Sequence, residues 1–217
     1  LVLSVIIISM IYSILKPVET LPVWQPSQVN PKLVDSTLQH VKKYHTINDF
    51  ELTNQNGETI TQKNYHNKIY IADFFFTTCQ TICPIMTDHM AEIQDALKDQ
   101  SDVLLLSHTV MPEIDTVAQL KKYARDKGVN DSKWNLVTGD KKQIYDLARG
   151  SYLAAEENPE NPYGLIHTEN FVLVDRENRV RAFYDGTDPE VVEMVIHDIK
   201  ILKNEGKKSI FFGLIEY

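Results

Sequence analysis

The chain has 217 residues, a formal net charge of −8 and a charged fraction of 24%. That length supports one domain of ordinary size rather than two, and the composition is that of a folded chain. The acidic balance leaves no basic stripe to neutralise phosphates, which argues against a nucleic-acid partner.

Residues 1–15 read LVLSVIIISMIYSIL and carry no charge. A spanning helix needs ~20 apolar residues and a signal-peptide core about 7–15. No small-residue cleavage site comes next; Lys16 and Pro17 do, and the first residue is Leu rather than Met. The expectation is a truncated transmembrane anchor, the alternative being a helix buried in the core. Pro17, Pro22, Pro26 and Pro31 then fix φ and withhold donors, which predicts an extended linker over 16–33.

The domain is expected over 34–205. Residues 50–52 and 59–61 read as a hairpin around Asn56-Gly57. KIYIADFFF, 68–76, is a continuous apolar run of buried-strand type. Ile85, Met86, Met90, Ile93 and Leu97 recur at helical spacing, predicting a helix over 84–97. A buried strand at 103–106 comes after it, then a helix carrying Val117, Leu120 and Ala124 with Gly128 at its end. Next come a strand at 134–137 and a helix at 143–148. Residues 171–174 and 180–184 read as paired strands, and 188–202 as a closing helix with Asp188 as N-cap and Pro189 behind it. This order implies an α/β chain with a mixed central sheet and helices on both faces. Residues 206–217 read as a tail.

Only two cysteines are present, Cys79 and Cys83, in FFFTTCQTICPIMTDHM. They close one bridge at most, so this is no disulfide scaffold. Pro84 suits a first helical turn, which puts Cys83 at the N-cap and Cys79 on the loop before it. The helix N-terminus should then lower both thiol pKa values below about 8.5, which serves a nucleophile and a metal ligand alike. Two thiolates select copper(I), zinc or an iron–sulfur cluster. Structural zinc and clusters want four ligands, whereas copper(I) is content with two sulfurs and one imidazole. Among the seven histidines, His167 stands just before a strand and is the first candidate. His108, ending a central strand, is the runner-up, and His89 is too far along its helix from Cys83. Two buried, inert cysteines are the alternative.

The segments DFELTNQNGETIT, FFFTTCQTICPIMTDHM, SHTVMPEIDTVAQLKKYARDKGV, WNLVTGDKKQIYDLA and HTENFVLVDRENRVRAFYDG resemble the SCO/SenC family of copper-binding assembly proteins for cytochrome c oxidase. The resemblance covers roughly 50–202. It implies a thioredoxin-like fold behind one N-terminal membrane anchor, with the soluble domain on the extracytoplasmic side. It also implies a copper site, holding copper(I) and copper(II), made by Cys79, Cys83 and His167. The implied partners are the oxidase subunit carrying the copper A site and a copper donor protein. The chain departs from the family pattern at Gln80, where proline is frequent, at Ile166, where aspartate precedes the histidine, and at Met111, where the loop normally starts with aspartate. Those changes touch groups around the site rather than the ligands.

Cys79 and Cys83 also suit a thiol–disulfide oxidoreductase that keeps target cysteines reduced, with both as the redox-active pair. A thiol peroxidase is a third reading, against which stands the lack of an arginine placed to polarise a peroxide. His167 discriminates: a copper site needs it and a reductase does not.

Overall fold

The computed structural model describes residues 19–155 and 168–213, the last eight as backbone alone. The expected anchor at 1–15, the candidate ligand His167 and the end of the tail lie outside the described residues. Among the described residues no helix is long and apolar enough to cross a membrane.

The continuous apolar run becomes β3 (Ile69–Phe75), buried along its whole length. It pairs in parallel with β4 (Val103–Thr109), from Ile69 opposite Val103 to Phe75 opposite Thr109. β4 pairs in parallel with β5 (Trp134–Thr138), and β5 antiparallel with β1 (Glu51–Asn54), which forms the expected hairpin with β2 (Thr59–Thr61). On the other side β3 pairs antiparallel with β6 (Asn170–Val174), and β6 with β7 (Val180–Asp185). The strand order is β2-β1-β5-β4-β3-β6-β7, a mixed sheet with its two parallel pairs at the centre. Gly57 in the hairpin turn has φ +79°, a region that L side chains enter only with strain.

Alternation along β3 sends side chains to two layers. Ile69, Ile71 and Phe75 face α1 (Ile82–Ala96), α2 (Val117–Asp126) and α4 (Val191–Gly213), and pack with Met86, Met90, Leu120, Val195 and Ile199. Tyr70, Ala72 and Phe74 face α3 (Lys141–Asp146), which continues as a π turn over Leu147–Ser151, and pack with Ile144, Tyr145 and Tyr152. This is the expected α/β architecture, with helices on both faces.

Two boundaries differ from the sequence expectation. The helix expected from residue 84 starts at Ile82, with Thr81 in the cap position, so Cys83 lies inside its first turn. The closing helix begins at Val191, after a turn in which the Asp188 carboxylate accepts the Glu190 amide at 2.8 Å, and runs on to Gly213. The proline-rich stretch is held against the domain from Leu21 onward. The Trp24 amide donates to the Val180 carbonyl at 2.9 Å. The Arg181 guanidinium donates to the carbonyls of Leu21 (2.6 Å) and Pro22 (2.9 Å) and to the carboxylates of Asp175 (2.9 Å) and Glu205 (2.8 Å). Arg181 and Asp175 side chains are each 4% exposed, so breaking one partner would strand a buried charge.

Candidate metal centre

The loop between β3 and α1 carries Cys79, and the first turn of α1 carries Cys83. Cys79 is half-buried and Cys83 is buried; both are free thiols. The loop is fixed at its root. The Cys79 amide donates to the Phe76 carbonyl at 3.2 Å. The fully buried Asp115 carboxylate accepts the Thr77 amide at 3.1 Å and the Thr77 hydroxyl at 2.5 Å. Asp115 also accepts the Thr109 hydroxyl, and Gln119 Nε2 donates to Thr77 Oγ1 at 3.0 Å. A carboxylate that satisfies several donors at once holds its loop in one geometry.

The two thiols are chemically unequal. Burial alone would raise the Cys79 pKa, but hydrogen bonds from the Thr81 hydroxyl and from the Thr81 and Cys83 backbone outweigh it and hold the group at about 7. Cys79 Sγ lies 3.5 Å from Thr81 Oγ1. Burial pushes Cys83 the other way, up to about 12, and the neighbouring Cys79 adds to the rise. The expectation of two lowered pKa values therefore holds for Cys79 and is corrected for Cys83. The helix terminus acts on both sulfurs, but removal from water dominates at a side chain only 4% exposed.

Within electrostatic reach of Cys83 lies a group that sequence reasoning missed. Asp73 is 1% exposed and shares the sheet face of Ile71 and Phe75. Burial raises its pKa to about 7 against the opposing Ser107 hydrogen bond, and its Oδ1 has no partner. Its charge is felt at Cys83. One acidic residue inside KIYIADFFF was the only available signal.

The histidines sort cleanly. His108, the runner-up, projects to the opposite layer, where its ring stacks on Phe74 with centroids 4.9 Å apart. Burial lowers its pKa to about 4, so it is neutral there, and its Nε2 has no partner. His89 Nδ1 is 2.8 Å from the Gly186 carbonyl oxygen. Met111 packs against the α3-side core rather than lining the cysteine cleft.

A cleft of about 10 Å³, room for roughly one water, is lined by Phe74, Phe76, Cys79, Ile82, Cys83, Val110 and Thr168. Thr168 is the residue immediately after His167. The residues leading from it into β6 are held by Gly186, whose amide donates to the Glu169 carbonyl at 2.6 Å while its own carbonyl meets His89 of α1. The start of β6 is thus tied to the helix that carries Cys83. Among the described residues no three His, Cys, Asp or Glu side chains cluster as a metal site. Cys79 and Cys83 supply two soft donors, and position 167 is covalently adjacent to a residue of their cleft.

A model of the SCO1/SenC family matches residues 39–203. The chain belongs to the SCO1/SenC family. A curated SCO1 protein homolog of Bacillus subtilis is 34% identical over 158 residues, 72% of this chain and 82% of the relative. The structure of BsSco, a member of the Sco family of cytochrome c oxidase assembly proteins in which a disulfide switch was identified, aligns with TM-score 0.63. It is 34% identical, over 72% of this chain and 92% of that one. Arabidopsis thaliana ScoI, solved with copper bound, aligns with TM-score 0.57 at 28% identity, over 70% of this chain and 97% of that one. The mixed sheet with helices on both faces is the thioredoxin-like fold of SCO1/SenC proteins.

Proposed function

We propose that this chain is a copper-binding assembly factor for cytochrome c oxidase, with Cys79, Cys83 and His167 as its ligands. The observation that carries the reading is the shared cleft. A half-buried thiol with a pKa of about 7, a buried thiol and Thr168 line one small space, and Thr168 is preceded by the histidine. Two sulfurs and an imidazole fit copper better than zinc, and imidazole suits copper in both oxidation states. Bound there, copper supplies a transferable ion and a one-electron couple.

The protein's own groups do the rest. Cys79 ionises near neutral pH and is the sulfur first presented to a donor protein. Cys83 has to give up its proton to complete the site, and Asp73 behind it is the buried carboxyl nearest to that event. The Asp115–Thr77 clamp holds Cys79 over the first turn of α1. The recipient in this reading is the oxidase subunit with the copper A site. Residues 1–15 anchor the protein in the membrane, with the domain on the extracytoplasmic side.

A second reading rests on the inequality of the thiols. Cys79 thiolate attacks one sulfur of a target disulfide, forming a mixed disulfide and expelling the other target sulfur as thiolate. Cys83, once deprotonated, attacks Cys79 and releases the second target thiol. Two electrons pass to the target, and a Cys79–Cys83 disulfide remains. A half-buried, low-pKa attacking thiol beside a buried one suits that sequence.

The test titrates copper in both oxidation states, beside a disulfide-exchange assay, on wild type, Cys79→Ser, Cys83→Ser and His167→Ala. Either serine variant should lose copper(I) binding. His167→Ala should weaken copper(II) binding strongly and change the thiolate charge-transfer absorption, affect copper(I) less and leave exchange nearly intact. Lost exchange with intact copper(II) binding makes His167 an acid–base partner and the protein primarily an oxidoreductase.

A further inference from the structure

Outside the β6–β7 turn, residues 42–46 pass close to the stretch around Val23. Between them lies an open groove of about 590 Å³, lined by Val23, Gln25, Lys42, Lys43, Tyr44 and Arg179. The backbone is fastened on both sides of Lys42, Lys43 and Tyr44. Before them, the Val41 carbonyl accepts the Ser27 amide at 3.1 Å. After them, the His45 amide donates to Gln25 Oε1 at 3.1 Å and His45 Nε2 lies 2.8 Å from the Ser151 carbonyl oxygen. The Ile47 amide then donates to the Asn178 carbonyl at 2.8 Å. Lys42, Lys43 and Tyr44 all face solvent on this anchored loop.

Tyr44 is 93% exposed and has φ +65°, a left-handed conformation that costs a bulky side chain energy. Packing within the domain does not offset that cost, because the ring has almost no cover. The charges beside it are also unmet. Lys42 and Lys43 make no hydrogen bond or ion pair among the described residues. Arg179 and Glu177, which line the same groove, neutralise each other at 3.0 Å. The two lysines are left as its uncompensated charges, in a chain of net charge −8.

The groove lies far from the cysteines. Arg179 and Glu177 belong to the β6–β7 turn, and Val174, where β6 ends, pairs with Tyr70 at the start of β3. Cys79 and Cys83 come after the other end of β3. A seven-residue strand is about 23 Å long at ~3.3 Å per residue.

We infer that the Lys42-Lys43-Tyr44 loop docks the domain on a membrane bearing anionic phospholipids. The lysine ammoniums meet the phosphate head groups, and the tyrosine ring sits at the head-group level, where an apolar body with a polar tip is favoured. An acidic peptide would match the lysines and leave the exposed ring without an apolar partner. For a chain of negative net charge, attraction to an anionic surface has to be local, and this loop supplies it within a Debye length of the lipid. Docked by this end, the domain holds Cys79 and Cys83 on the side away from the bilayer. The inference rests neither on residues 1–15 nor on what the cysteines bind.

The test uses the full chain carrying Tyr44→Trp in nanodiscs of phosphatidylcholine, with or without phosphatidylglycerol. Emission from Trp24 and Trp134 is removed by subtracting the wild-type signal in the same discs. In anionic discs the added tryptophan should be quenched by lipids brominated near the top of the acyl chain and shielded from acrylamide. Adding Lys42→Gln and Lys43→Gln, both at exposed positions, should lower the ratio of docked to free domain about fivefold per lysine. A tryptophan open to acrylamide and blind to bromolipid in anionic discs overturns the inference, since the loop then lies in water. One shielded from acrylamide but blind to bromolipid overturns it as well, since protein, such as a second copy of the chain, then covers the loop. Equal quenching in both kinds of disc, indifferent to the lysine substitutions, overturns it too, because the contact then owes nothing to anionic head groups.

Discussion

Asp115 accepts both the amide and the hydroxyl of Thr77, two residues before Cys79, across a sequence separation of 38. It joins the β4–α2 loop to the loop that presents the half-buried thiol. Asp115→Ala leaves the Thr77 and Thr109 donors without their acceptor inside the protein, which should cost roughly 2–4 kcal/mol of stability. Thr77→Val, which keeps Asp115 and its bond to Thr109, should cost less. Urea unfolding of both variants beside wild type measures the cost, and wild-type midpoints in both would show that the clamp contributes nothing.

In the metal-free, reduced protein the two thiols should alkylate very differently. Cys79, with its pKa lowered to about 7, gains its thiolate as pH rises through 7. Its iodoacetamide rate should reach half its plateau near that pH. Cys83, pushed up to about 12 and buried, should stay unmodified below pH 9. Peptide mapping after timed labelling distinguishes them. Comparable labelling of both would mean that burial does not set the Cys83 pKa.

Asp73 makes stability depend on pH in the sense opposite to most carboxylates. Its folded pKa, about 7, lies above the ordinary value of 3.8. The folded state therefore holds the proton more tightly, and the contribution is complete below about pH 4. It is lost as pH rises from there to about 7, by at most roughly 4 kcal/mol for a shift of this size. Asp73→Asn should flatten that slope in denaturant midpoints taken from pH 4 to 8. An unchanged slope would mean that Asp73 is ionised in the native protein at pH 5.

Gly186 has no room for a side chain. A Cβ there would stand 2.7 Å from Phe171 Cε1 and 2.9 Å from the Glu169 carbonyl oxygen. Gly186→Ala should cost about 1–3 kcal/mol. It should also shift the start of β6, weakening copper(II) binding along with stability. If copper affinity is untouched in a variant that is clearly less stable, the approach of Gly186 to Glu169 does not position the residues before β6.

Much of this was legible in the sequence because the signals were local. KIYIADFFF announces a buried strand through an apolar run broken only by Asp73, and Asn56-Gly57 announces its turn through the positive φ that glycine tolerates. The alternating order of elements was enough for a mixed sheet with two covered faces. What escaped depends on partners far along the chain. Nothing near Asp115 reveals that Thr77 will be its donor, and nothing near Asp73 reveals that it will be buried within electrostatic reach of Cys83. The Cys83 pKa went the other way for the same reason. A helix N-terminus can be read from Pro84, whereas burial under α1 emerges only when the helix packs. His108 illustrates the converse: the end of a strand was foreseen, but the face it points to is settled by the register of β4 against β3.

Arg181 has a consequence for the order in which the chain can assemble. It joins the Leu21 carbonyl, 160 positions earlier, to Glu205, 24 positions later. Residues 21–25 are made early but find their place only when β7 and the last described turns of α4 exist. The stretch behind the apolar N-terminus is therefore the last to be fastened, and it stays loose while the sheet closes. Such long-range closure slows folding.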